Sequence, residues 1–179
     1  VGGGKYLLTY LLLKHAHAPR PRGKGMRRTL LVVPADVFGK LVDSDVPRAR
    51  RIVGFDVPVH ALGRLPPPRR MDLCRSGLAG VYATTYSLIQ QAKTGAAELE
   101  AISPQFVVAD EAHCLANFRR NPAFRKRLWW VMQKCQAGAA WLSGTMDRRS
   151  FLDAAPLMAR ALRERAPVPL DQVTLERGA

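Results

Sequence analysis

Cysteine is scarce in this chain: Cys74, Cys114 and Cys135 are the three present, widely spaced and without a C-x-x-C pair. That spacing excludes a disulfide framework and a zinc knuckle and suits a reducing, intracellular setting. Acidic residues are also few, 14 against 28 lysines and arginines, which leaves a formal charge of +14. The excess favours polyanionic partners, nucleic acid first, although an arginine-rich proteome would leave the same imprint. Long apolar runs are missing. The longest, residues 6–13, is interrupted by Thr9 and closed by Lys14, short of the roughly 20 residues a membrane-spanning helix needs. No charged start precedes an apolar block, so no secretory signal is expected, and Val1 followed by glycines reads as an internal cut.

What remains is enough for one sizeable core, since 47% of the 179 residues are hydrophobic. Gly2, Gly3 and Gly4 read as a turn opening a leucine-rich helix over residues 5–14. Residues 15–28 mix proline, glycine and basic side chains and read as a surface loop. Residues 29–33 form a β-branched and leucine run closed by Pro34, as in a parallel strand covered on both faces, and a helix is expected over 35–42. Residues 51–60 suit a strand or strand pair, and 65–70, with three consecutive prolines, a loop. A third strand is expected at 81–85, a helix over 87–102 and a fourth strand at 106–109. Phe124, Leu128, Val131, Met132 and Cys135 then recur at helical spacing, and 139–142 supplies a fifth strand. A last helix begins at Ser150 and Asp153, a short capping box, and runs to about 165 before a Pro-Val-Pro linker. Strands alternating with helices predict an α/β sandwich with a mostly parallel sheet, whose ligands sit beyond the carboxyl ends of the strands.

The chemistry-bearing residues fall at those ends. Gly2, Gly3, Gly4 and Lys5 match the end of a phosphate-binding loop, in which backbone amides and a helix start hold phosphates while lysine reaches the β and γ groups. Tyr6 stands where that pattern has serine or threonine, whose hydroxyl binds magnesium, and its ring is too bulky for the role. Phe106 to Ala109 deliver Asp110 and Glu111 at a strand tip. A carboxylate pair fixed there suits magnesium-dependent hydrolysis, one acid for the cation and one to polarise water.

With Ala112 and His113, this pair spells a DEAH box, and the chain resembles the first RecA-like lobe of superfamily 2 helicases and translocases. Other segments follow in the family's order. Residues 29–34, ending at Pro34, look like motif Ia; Thr84, Thr85 and Tyr86 look like the Thr-Thr-Tyr segment of Swi/Snf-like members; Ser143, Gly144 and Thr145 look like motif III. Met146 departs from the proline usual in Swi/Snf-like chains. The resemblance implies a three-layer fold of the P-loop NTPase class, here lacking the strand before the phosphate loop. Residues 1–149 would form the ATP-binding lobe and 150–179 a helix and linker toward a second RecA-like lobe. It implies ATP and Mg2+ as cofactors, Gly2 to Tyr6 at the nucleotide and Asp110 at the metal. Glu111 would act on water, while His113 and residues 143–145 couple hydrolysis to nucleic acid, DNA before RNA, contacted through Pro34 and residues 84–86.

Other features are less specific. Arg20, Arg22, Lys24, Arg27 and Arg28 form one basic cluster and Arg119, Arg120, Arg125, Lys126 and Arg127 another; either suits phosphate tracking or plain solvation. His15 and His17 lack the carboxylate or cysteine company of a metal site. Trp129 and Trp130 are adjacent, so at most one faces a core squarely. The rival expectation is a scaffold or nucleic-acid-binding module that has kept the fold and lost hydrolysis.

Overall fold

The computed structural model describes residues 3–19, 27–91, 94–116, 128, 131–135, 137–143 and 161. Its centre is a five-stranded sheet of β1 (Arg28–Val33), β2 (Val59–Ala61), β3 (Gly80–Thr85), β4 (Phe106–Asp110) and β5 (Gly138–Leu142), in the order β2-β3-β1-β4-β5. All four pairings are parallel. β1, β3 and the centre of β4 are buried on both faces, which explains their unbroken apolar runs, whereas β5 is half-buried along its length.

Alternate residues of the central strands feed two cores. On one face Leu31, Val33, Val81, Ala83 and Val108 pack with Tyr10 and Leu13 of α1 (Gly3–His17), Phe38 of α2 (Ala35–Lys40) and Val46 and Ala49 of α3 (Val46–Val53). On the other, Leu30, Val32, Tyr82, Val107 and Ala109 meet Cys74 of α4 (Pro67–Arg75), Ile89 of α5 (Tyr86–Gln90) and Leu99 and Ile102 of α6 (Gly95–Ile102), with Leu128, Val131 and Met132. Each fully buried leucine or phenylalanine contributes about 1.5–3 kcal/mol through area removed from water. Helices thus cover both faces of an all-parallel sheet. A short α7 (His113–Ala116) follows β4.

Several boundaries differ from the sequence expectation, each for a local reason. α1 begins within the glycines and continues through His17, so residues 15–17 are helical; His17 Nε2 lies 3.0 Å from Thr29 Oγ1, tying the end of the helix to β1. The helix expected over 35–42 stops at Lys40 and widens into a π turn, Leu41–Asp45, directly ahead of α3. Pro47 has no N–H to return to the preceding turn, which favours the wider ring there. Residues 51–53 are the end of α3, and of the expected 51–60 strand only Val59 and His60 fall in β2. The proline run is not all loop, because Pro67 and Pro68 open α4, where a missing N–H costs nothing. The helix expected over 87–102 is two helices. A Cβ on Gly95 would lie 2.5 Å from the Ile89 carbonyl oxygen, so glycine lets α6 seat directly on the end of α5. The strand expectations at 29–33, 81–85, 106–109 and 139–142 agree with β1, β3, β4 and β5, each one residue longer.

Gly2, the clusters Arg20 to Lys24 and Arg119 to Arg127, Trp129, Trp130, Gly144, Thr145, Met146 and the expected helix from Ser150 lie outside the described residues. No helix among the described residues is long and apolar enough to cross a membrane.

Candidate functional site

Sheet order decides where a site can form. From β1 the chain proceeds to β2 and β3 on one side of it and then to β4 and β5 on the other. The carboxyl ends of β1 and β4 therefore flank a topological switch point, where adjoining connections part and leave a crevice. A cleft of about 200 Å³ opens there, lined by Tyr6, Thr9 and Tyr10 of α1, Val33 at the end of β1, Lys40 and Asp45 beyond it, and Asp110 and Glu111 at the end of β4. The helix that the glycines open and the acid pair thus share one cavity. Gly3, Gly4 and Lys5 are in the first turn of α1.

The acid pair is held by the fold on three sides. Asp110 is the last residue of β4, in register with Leu142 of β5. Its backbone oxygen accepts a 2.6 Å hydrogen bond from the Tyr86 hydroxyl, and its Oδ1 accepts one of 3.0 Å from the Glu111 N–H. Glu111 has a φ of 51°, a left-handed backbone unusual for a glutamate, which turns the chain sharply off the strand and keeps its carboxylate at the cleft. The next residue, Ala112, is fully buried and donates its N–H to the Leu142 carbonyl at 2.9 Å.

His113 joins the acid pair to the end of β5. Its Nδ1 lies 3.2 Å from Glu111 Oε2 and 3.1 Å from Ser143 Oγ, so one ring nitrogen meets both groups. A protonated Nδ1 donates to the carboxylate; a bare Nδ1 accepts from the serine hydroxyl. His113 and Ser143, expected from the sequence to act together, are thus in direct hydrogen-bond contact.

Tyr6 lines the cleft with its hydroxyl committed to the backbone. Its hydroxyl donates to the Asp45 carbonyl at 2.8 Å, its ring meets Tyr10 edge-on at 5.2 Å, and the Arg48 guanidinium sits 5.8 Å from its centroid. Burial, followed by the Asp45 charge, raises its phenol above the ordinary range. Tyr10 lies deeper, with its ring also edge-on to Phe55 at 5.0 Å; burial above all, then Asp45, Tyr6 and Asp110, push its phenol well upward.

The residues matched to the nucleic-acid motifs serve the fold directly. Pro34 is the N-cap of α2 and half-buried. Thr84 and Thr85 are buried; Thr85 Oγ1 accepts from the Leu88 N–H at 3.2 Å, capping α5, and lies 2.9 Å from Ser87 Oγ. Tyr86 supports Asp110 as described, with its phenol raised chiefly by burial. Sequence reasoning missed Thr9, Tyr10, Lys40 and Asp45 as cleft residues. For Thr9 and Tyr10 a signal existed, since they lie four residues beyond Lys5 and Tyr6 respectively, a spacing that makes neighbours on a helix surface. Asp45 comes to the cleft through the π turn and Lys40 through the helix ahead of it, and no sequence pattern announces that placement. Neither a family model nor a curated protein matches the chain.

Proposed function

We propose that the chain is the RecA-like ATP-binding lobe of a superfamily 2 helicase or translocase, an ATP hydrolase that couples turnover to movement on, or remodelling of, nucleic acid. One observation carries the reading: the cleft at the switch point joins the helix of the Gly-Gly-Gly-Lys segment to Asp110 and Glu111, with His113 bridging from Glu111 to Ser143. The donor set suits magnesium. No group of three or more His, Cys, Asp or Glu side chains converges tightly enough among the described residues to cage a metal, and Mg2+ characteristically keeps several waters while leaning on one or two carboxylates.

In this reading Asp110 holds the cation and Lys5 the phosphates. When bound, the cation offsets phosphate charge. Glu111, aimed by its left-handed backbone, orients and polarises the attacking water. His113 carries the state of Glu111 to Ser143 and so to the tip of β5. The net charge of +14 supports a nucleic-acid track, DNA before RNA, in an intracellular setting, with a second RecA-like lobe completing the site.

The test is ATP turnover by the full chain and by any longer parent, with and without DNA, alongside Glu111→Gln. Nucleic-acid-stimulated hydrolysis that Glu111→Gln abolishes, while nucleotide binding persists, is the expected result. Equal rates in both proteins refute the enzyme. A second reading, a non-hydrolysing scaffold, draws on Tyr6, whose hydroxyl is committed to the Asp45 carbonyl. Under it, Tyr6→Thr would create turnover where the parent has none.

A further inference from the structure

Among the described residues four large apolar side chains are about half exposed, and three of them belong to the helix layer of α1 and α3: Leu8 (48%), Leu11 (48%) and Ile52 (54%). Neither leucine lines the cleft. They stand three residues apart and so on one side of α1, turned away from the buried Thr9, Leu13 and Ala16. A surface helix ordinarily keeps that outer side polar, and a contiguous apolar patch in its place marks a site of interaction.

Contacts between the two helices place Ile52 beside the leucines. Tyr6 is level with Asp45 and Arg48, through its hydroxyl and its ring, and Lys14 is level with Val53, whose carbonyl accepts from Nζ at 2.7 Å. Arg48 and Ile52, four residues apart, share the side of α3 that meets α1. Ile52 therefore stands level with the turn that carries Leu11, and an apolar seam runs between the helices.

Charge along the seam has one sign. Neither α1 nor α3 contains an aspartate or a glutamate, and Lys14, Arg48 and Arg51 are exposed; Asp45, ahead of α3, lines the cleft instead. A second copy of the chain would set arginine against arginine, which like-charge repulsion opposes. An anionic bilayer calls for basic side chains free to reach its headgroups, whereas Lys14 and Arg48 are tied to the Val53 carbonyl and the Tyr6 ring. Held in this way, each keeps donors to spare and loses little freedom when a carboxylate arrives.

We propose that the seam between α1 and α3 docks an acidic amphipathic helix of a partner protein, its apolar stripe on Leu8, Leu11 and Ile52 and its carboxylates on Lys14, Arg48 and Arg51. The surface serves binding whether or not the chain hydrolyses ATP.

The probe is a synthetic helix of about 18 residues, roughly five turns, with leucines along one side and glutamates flanking them. It carries fluorescein, and its anisotropy is followed as the full chain is added at physiological salt, where attraction to the distant net charge is screened. A second peptide has lysine in place of glutamate. The acidic peptide should bind saturably; Leu8→Asn with Leu11→Asn should weaken it about tenfold and Arg51→Glu about fivefold, while Leu78→Asn, at the remaining exposed leucine, leaves it unchanged. Circular dichroism checks that each variant folds, and Arg51→Glu carries the test alone should the leucine pair not. No binding, equal binding of the lysine peptide, or parent affinity in either seam variant overturns the proposal. Leucine-dependent capture on phosphatidylserine vesicles without peptide binding makes the surface a lipid contact, and a leucine-dependent dimer in sedimentation makes it a self-interface; either result overturns it as well.

Discussion

The ion pair of Arg70 and Glu98 offers a stringent test of how the second face of the sheet is held. Arg70 on α4 and Glu98 on α6 are each 4% exposed, with Nε and Oε1 2.6 Å apart. Arg70 Nη1 reaches the Leu65 carbonyl only at 3.4 Å, and Nη2 has no partner. Glu98→Ala would thus leave a buried guanidinium with one long hydrogen bond, and breaking a buried pair from one side costs about 3–5 kcal/mol. At roughly 2–4 °C per kcal/mol for a chain of this size, melting should fall by roughly 6–20 °C. Arg70→Met should do comparable harm by stranding the carboxylate. Arg70→Met with Glu98→Leu removes both desolvated charges and fills the space with apolar atoms, so the double variant should return to within about 1 kcal/mol of the parent. Urea unfolding followed by circular dichroism, run as a double-mutant cycle, gives the coupling energy. Should Glu98→Ala lose less than about 1 kcal/mol, or the two single effects simply add, the pair is not the buried unit described and the argument fails.

Four further outcomes follow from particular contacts. Tyr86→Phe deletes the 2.6 Å bond to the Asp110 carbonyl and should cost about 1–2 kcal/mol in denaturant unfolding, lowering any Glu111-dependent turnover with it. Gly95→Ala would press a methyl to 2.5 Å from the Ile89 carbonyl oxygen, and, because backbone cannot easily yield, a loss of about 1–3 kcal/mol is expected on urea titration. Burial, reinforced by Glu98, pushes the Cys74 thiol up to about 12, and burial also raises Cys114. A disulfide exchange reagent at pH 8 should therefore leave Cys74 unmodified in the native chain and react with Cys114 more slowly than with free cysteine. Burial lowers the His17 pKa below 6.5, so the unfolded chain binds the proton more readily. Its contribution to stability is complete above pH 6.5 and is lost as pH falls through the lower folded value, a slope that His17→Gln should flatten in melts from pH 7 to 5.

The parts of the fold visible in sequence were those whose residues answer to one constraint at a time. Val107, Val108 and Ala109 are buried on both faces, so an unbroken apolar run was enough to mark β4 and to place Asp110 at its end. α3 escaped because Pro47 and three arginines mask an apolar stripe of two buried residues, Val46 and Ala49. α4 escaped because proline is tolerated in a first turn, a positional exception that composition cannot express. The acid pair and His113 were legible as a motif, and Glu111, His113 and Ser143 meet through one ring nitrogen. Tyr10 was not, since its place in the cleft with Asp45 depends on the π turn that carries Asp45 there.

The turn after β4 is fastened at two points to the tip of β5, by Ala112 on the Leu142 carbonyl and by His113 on Ser143. Two successive residues on each side are involved, so the tip and the turn can shift together but can scarcely rotate apart. A shift of Leu142 or Ser143 is accordingly shared by Ala112 and His113, the two residues that follow Glu111. A substitution that loosens that fastening should free the turn from the strand tip while leaving the carboxylate itself intact.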